Sequence, residues 1–191
     1  MEGEDFRFRG GRLCLDFVGT LGGRYRRPVE RLSEPADLER WLRVAVPIPE
    51  GFSATSGELD RAVTLREAIY RLAHPASRDN PDIADVTLLN KWAAERSYVP
   101  MLHPDARGVS RRATHPAKAG LAAVACDAID LLSGPWLERV RECGRADCSL
   151  LFVDVSRPGM RRWCDMQSCG NRAKVGRYRA AHPSGEAYDA V

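Results

Sequence analysis

Near its start the chain alternates apolar and basic residues, with Phe6 and Phe8 interleaved with Arg7 and Arg9. Gly10-Gly11 follows, then the apolar run 13–18, LCLDFV. Two-residue alternation across a Gly-Gly turn predicts a β-hairpin over 6–18, with Asp16 in an apolar strand that needs a partner for it. The period then lengthens. Ser33 and Pro35 signal a helix start, and LERWLRVAV continues it until Pro47. Leu59, Ala62, Val63, Leu65, Ile69 and Leu72 recur at helical spacing up to Pro75, and Ile83, Val86, Leu89 and Ala93 repeat the pattern after Asn80-Pro81. Residues 97–103 and 108–114 predict a second hairpin with a polar turn. Pro116 opens an alanine-rich helix whose small residues imply close helix packing, and Gly134-Pro135 ends it. The body, residues 1–135, is expected to be α+β, mixing helices with short antiparallel strands.

Composition changes this picture little: 44% of the 191 residues are hydrophobic, enough for a core. No apolar run of membrane-spanning length occurs, and the first residues lack the pattern of a secretory signal, so the cytoplasm is the expected compartment. Charge changes it more. Residues 139–182 carry ten Lys or Arg against four Asp or Glu, a net +6, whereas the remaining 19 basic and 22 acidic residues leave −3. A basic module on a slightly acidic body suits a polyanionic partner, although a solvated basic face would look the same.

Within that module lie Cys143-x4-Cys148, fifteen residues, and Cys164-x4-Cys169. Thiols in a reducing compartment read first as metal ligands, and two close pairs flanking a foldable segment supply the four sulfurs of a closed tetrahedral zinc site. The segment is too polar to form a core of its own and needs such a staple. All-sulfur ligation leaves no open position, which argues for a structural rather than a catalytic ion. Losing a ligand is expected to unfold this module and leave much of the body folded. Cys143-Gly144 predicts a knuckle turn, 150–155 a strand, 160–164 a returning strand, and Cys169 the first turn of a helix running to about Ala181. That order is treble-clef-like. His115 and His182 read as surface residues, and Cys14 and Cys126 as buried thiols.

The string Cys169-Gly170-Asn171-Arg172, after FVDVSRPGMRRWC, resembles the CGNR-type zinc finger of bacterial proteins. Its usual companion is an N-terminal ABATE domain with an LDFVNT-like signature, which Leu15-Asp16-Phe17-Val18-Gly19-Thr20 resembles, with Gly19 in place of Asn. The resemblance implies a stress-induced transcription regulator that binds DNA through the finger and uses the larger domain for sensing. A pocket for a small-molecule effector would then lie near Asp16 and Thr20.

On the terminal helix Arg172 and Arg179 share one face, and Lys174 and Arg177 an adjacent one. With Arg157 and Arg161 on the preceding hairpin they could form a phosphate-binding surface. Arg162, beside Trp163 and Cys164, reads as structural, and Asn171 as a local cap. The expected organisation is an ABATE-like domain (1–135), a CGNR-type finger (136–182) and a loose tail (183–191). No nucleophile elbow, HExxH, phosphate loop or carboxylate pair points to an enzyme. The alternative is a non-enzymatic adaptor whose zinc module is purely structural.

Overall fold

The run LCLDFV folds as helix α1 (Leu13–Val18), not as a strand. Its apolar residues explain both the expectation and the outcome. Cys14, Leu15, Phe17 and Val18 are all buried, so the segment is enclosed around most of its circumference and shows no two-faced pattern. A computed structural model describes residues 6–47, 52–95 and 98–182 of the chain. In it, residues 6–9 form no strand. Gly11 has a φ of +75°, and a Cβ on Gly10 would sit 2.6 Å from that of Leu15, so the Gly-Gly pair folds the chain tightly onto α1.

Short strands β1 (Leu21–Gly22) and β2 (Val29–Glu30) pair next as an antiparallel hairpin. Helix α2 (Pro35–Ala45) is capped by a reciprocal Glu34–Asp37 box, so Glu34, not Ser33, is its N-cap. Thr55 and Glu58 form a second such box for α3 (Ser56–Ala73), and Asp82 caps α4 (Ile83–Ala93). The exposed hairpin of β3 (Val99–Leu102) and β4 (Val109–Arg112) matches the predicted one, of which Ser97 lies outside the described residues. Helix α5 (Pro116–Ser133) buries Ala117, Ala119, Ala122, Ala125 and Ala128. A Cβ on Gly120 would lie 2.7 Å from Leu42, which shows how closely α5 approaches α2.

Helices α3 and α5 pack against α1 and each other, α4 packs on α3 and α5, and Trp41 of α2 lies against Phe17 at 4.9 Å between ring centroids. Polar contacts from α5 hold the start of α1. Asp127 accepts from the Cys14 amide at 2.8 Å and from Arg12 Nε at 2.9 Å. Cys14 is buried as expected, but Cys126 is exposed on α5.

The C-terminal part adds β5 (Val140–Glu142), β6 (Leu151–Val153) and α6 (Asn171–Ala181), completing a mixed α+β fold with a small treble-clef-like zinc finger. The partner of β6 is β5; residues 160–164, expected to form that strand, have no strand structure. The link to residues 160–164 is narrower, the Gly144 amide donating to the Arg162 carbonyl at 2.8 Å. Residues 183–191 lie outside the described structure, so the loose tail expected there does too.

Candidate metal centre and basic face

The finger begins from alternation in β6. Leu151 and Val153 point into the main core with Val140, while Phe152 points the other way and packs among the cysteines. Val155, within the strand predicted over 150–155, lies past the strand end and is exposed. The β5–β6 hairpin carries Cys143 and Cys148 in its connection. Immediately after Cys148, Ser149 adopts a φ of +55°, strained for a residue with a side chain. The body holds this turn: the Gly23 amide donates to the Cys148 carbonyl and the Arg24 amide to Ser149 Oγ, each at 3.0 Å.

The second ligand pair is set by a buried carboxylate and a tight turn. Asp154, fully buried, accepts from the amides of Ser156 (2.9 Å) and Arg161 (2.8 Å) and so folds the loop between β6 and Cys164. Asp165 then caps a π-helical turn, Met166–Gly170, which delivers Cys169 just before α6. The helix N-terminus there favours a thiolate. A Cβ on Gly170 would lie 2.9 Å from Met166 Sδ and 3.3 Å from Trp163. Asn171 Nδ2 donates to the Gln167 carbonyl at 3.0 Å, the local capping role expected of it.

The four sulfurs lie within 4.8 Å of one another and are buried. Three of their separations are 3.8 Å (Cys148–Cys164), 3.6 Å (Cys164–Cys169) and 3.7 Å (Cys169–Cys148). A tetrahedron with metal–sulfur bonds of about 2.3 Å has edges of about 3.8 Å, so the donor set fits one zinc ion. Electrostatics agrees. Hydrogen bonds from Cys148 and Cys164 pull the Cys143 thiol down, while contact with Cys143 pushes both Cys148 and Cys164 up. Four thiolates this close are stable together only around a cation. The site therefore holds one structural zinc, with every sulfur position filled by protein.

The predicted phosphate-binding residues divide. Arg157, Arg172, Lys174, Arg177 and Arg179 are exposed. Arg161 is not available: its Nε donates to the Trp163 carbonyl at 2.9 Å, its Nη2 donates to the Cys164 carbonyl, and its guanidinium lies over Phe152. Arg162, expected to be structural, is the exposed member of that pair, 5.3 Å over the Trp163 ring. Helix α6 is exposed along nearly its whole length, including Val175 and Tyr178.

Among the described residues, Asp16 and Thr20 have different surroundings. Asp16 borders a shallow cleft of about 320 Å³ with Phe8 and Val44, and its Oδ1 accepts from the Gly10 amide at 2.7 Å. Burial pushes its carboxyl up to about 6, against the opposing pull of the Gly10 and Arg9 amides. Thr20 is buried elsewhere: its Oγ1 donates to the Phe17 carbonyl and accepts from Arg66. Arg66, 1% exposed, also pairs with both oxygens of Glu30, at 2.6 and 2.7 Å, and with Glu67 at 2.8 Å. Arg24 completes the group through Glu67 at 2.6 Å. This network ties α3 to the β1–β2 hairpin that clamps the zinc knuckle. Its one trace in the sequence is an arginine beside the apolar stripe of Ala62, Leu65 and Ile69.

Residues 11–135 match the ABATE family model, described as "Putative stress-induced transcription regulator", and residues 139–182 match the CGNR zinc finger. No curated protein matches the chain. Among the described residues no helix is long and apolar enough to cross a membrane. With the ABATE match covering most of the chain and the four cysteines assembled as a finger requires, the protein belongs to the ABATE family and carries a CGNR zinc finger at its C-terminal end.

Proposed function

We propose that this protein is a non-enzymatic, DNA-binding transcription regulator acting under stress, whose zinc-stabilised finger contacts DNA phosphates. The observation that carries the reading is α6: a helix anchored at the zinc site, open to solvent, and bearing Arg172, Lys174, Arg177 and Arg179 with no acid. Arg157 and Arg162 extend the basic surface. The family description supports the regulatory role, and the body would carry the sensing function.

The test is anisotropy titration of zinc-loaded protein with a mixed-sequence duplex. Four phosphate contacts give a slope near −3.6 in log affinity against log salt, a weakening of about 150-fold between about 50 and 200 mM. Each Ala substitution at Arg172, Lys174, Arg177 or Arg179 flattens that slope by about 0.9, without changing zinc content. Absence of binding even at 50 mM salt overturns the reading. The exposed Val175 and Tyr178 on α6 would then favour an adaptor that docks a protein on this helix.

A further inference from the structure

At the far end of α5 from the finger, α3, α4 and α5 enclose a cleft of about 340 Å³. Each helix lends it one cation: Arg61, Lys91 and Lys118. Glu95 is the single acid in its lining. None of the three cations has a carboxylate partner among the described residues. The wall between them is apolar, formed by Leu88 and the largely buried indole of Trp92. An adjoining cleft of about 510 Å³ shares Glu95 and Lys118 and adds Arg112 and His115.

Three like charges against one carboxylate leave the cleft at about +2, and its low-dielectric walls concentrate that field. Such crowding costs the fold free energy unless an anion relieves it. The apolar wall asks for more than an inorganic ion, and the volume lies within the range of small-molecule sites. We propose that this cleft is the effector site of the body, and that it takes an organic dianion with a flat apolar portion, of the aryl phosphate class. The flat portion lies against Trp92 and Leu88, and the charge is shared by Arg61, Lys91 and Lys118.

The site is independent of the DNA-binding reading. Lys118 lies in the first turn of α5 and Ser133 ends it, a separation of about 23 Å along the helix axis. The finger follows from the Ser133 end.

The experiment is calorimetric titration of the full, zinc-loaded chain with phenyl phosphate, with inorganic phosphate and benzyl alcohol as charge-only and body-only probes. Phenyl phosphate is expected to bind once per chain, at least tenfold more tightly than inorganic phosphate, with benzyl alcohol giving no measurable heat. Arg61→Gln, Lys91→Gln and Lys118→Gln are each expected to weaken it about fivefold or more, and the triple variant to abolish it. Circular dichroism and DNA affinity should stay unchanged, since these side chains line an open cleft remote from the finger. Alanine variants of α6 should keep phenyl phosphate binding, so failure of either reading leaves the other standing. Equal affinity for inorganic and phenyl phosphate, native affinity in the triple variant, or no stoichiometric binding would each overturn the proposal.

Discussion

Arg161 and Arg162 are adjacent, carry the same charge, and have opposite roles. Arg161 turns inward because the Trp163 and Cys164 carbonyls need donors and Phe152 offers a ring face. Arg162 points to solvent. Arg161→Ala should therefore destabilise the protein by about 1.5–3 kcal/mol and speed zinc transfer to a chelator, whereas Arg162→Ala should do neither. Denaturant midpoints and chelator kinetics measure both. Asp16 gives a pH-dependent counterpart. Its carboxyl titrates near 6 in the folded chain against 3.8 as a free group, so folding favours the protonated form. Its stability contribution is fully present below about pH 3.8 and is lost as pH rises through about 6. Since the group is partly solvated, the loss should be about 1–2 kcal/mol. Asp16→Asn keeps an acceptor for the Gly10 amide and should flatten the stability profile between pH 4 and 6.5. An unchanged profile would mean that the carboxylate is solvated at no cost.

Helix α6 has eleven residues and almost no packing, and isolated helices of that length are marginal in water. Its start is fixed by Cys169 and the π-helical turn, and among the described residues its far end is held by its own hydrogen bonds and by His182 stacking on Tyr178 at 4.4 Å between ring centroids. Gly176 weakens it further, and among the described residues nothing lies within 4 Å of where a Cβ on that residue would be. Gly176→Ala should stabilise the helix by about 0.5–1 kcal/mol. Amide exchange over 174–181 should slow about two- to fivefold, and affinity for duplex DNA should rise by a similar or smaller factor. Unaltered exchange would show that α6 is already fully formed by its anchor.

Across the whole molecule, β6 faces two ways. Leu151 and Val153 complete the main core, Phe152 completes the zinc cluster, and the β1–β2 hairpin grips the knuckle. These shared contacts lead us to expect the finger and body to unfold together, where the sequence led us to expect the finger to unfold alone. Chelating the zinc, or replacing Cys164 by Ser, should destabilise body and finger together. The expected outcome is one cooperative transition, coincident by far-ultraviolet dichroism and tryptophan fluorescence. Its midpoint should fall by roughly 10 °C or more, given the several kcal/mol a structural zinc contributes. Two separated transitions would contradict this coupling.

The ligand set, the helix boundaries at Pro35, Pro116 and Ser133, and the exposed hairpin near residue 100 were legible in the sequence because each rests on local chemistry. Thiol spacing, proline geometry and periodicity act over a few residues and need no distant partner. What the sequence could not decide depended on neighbours far along the chain. LCLDFV became a helix because packing on most sides erased the periodicity that separates strand from helix. Strand β6 paired with β5 rather than with residues 160–164, since buried Asp154 bonds the Arg161 amide and folds that return as a loop. Thr20 was drawn away from Asp16 by Arg66, 46 residues later. The cationic cleft gathers residues from positions 61, 91 and 118, a grouping that three helices crossing at one end create and that no spacing in the sequence announces.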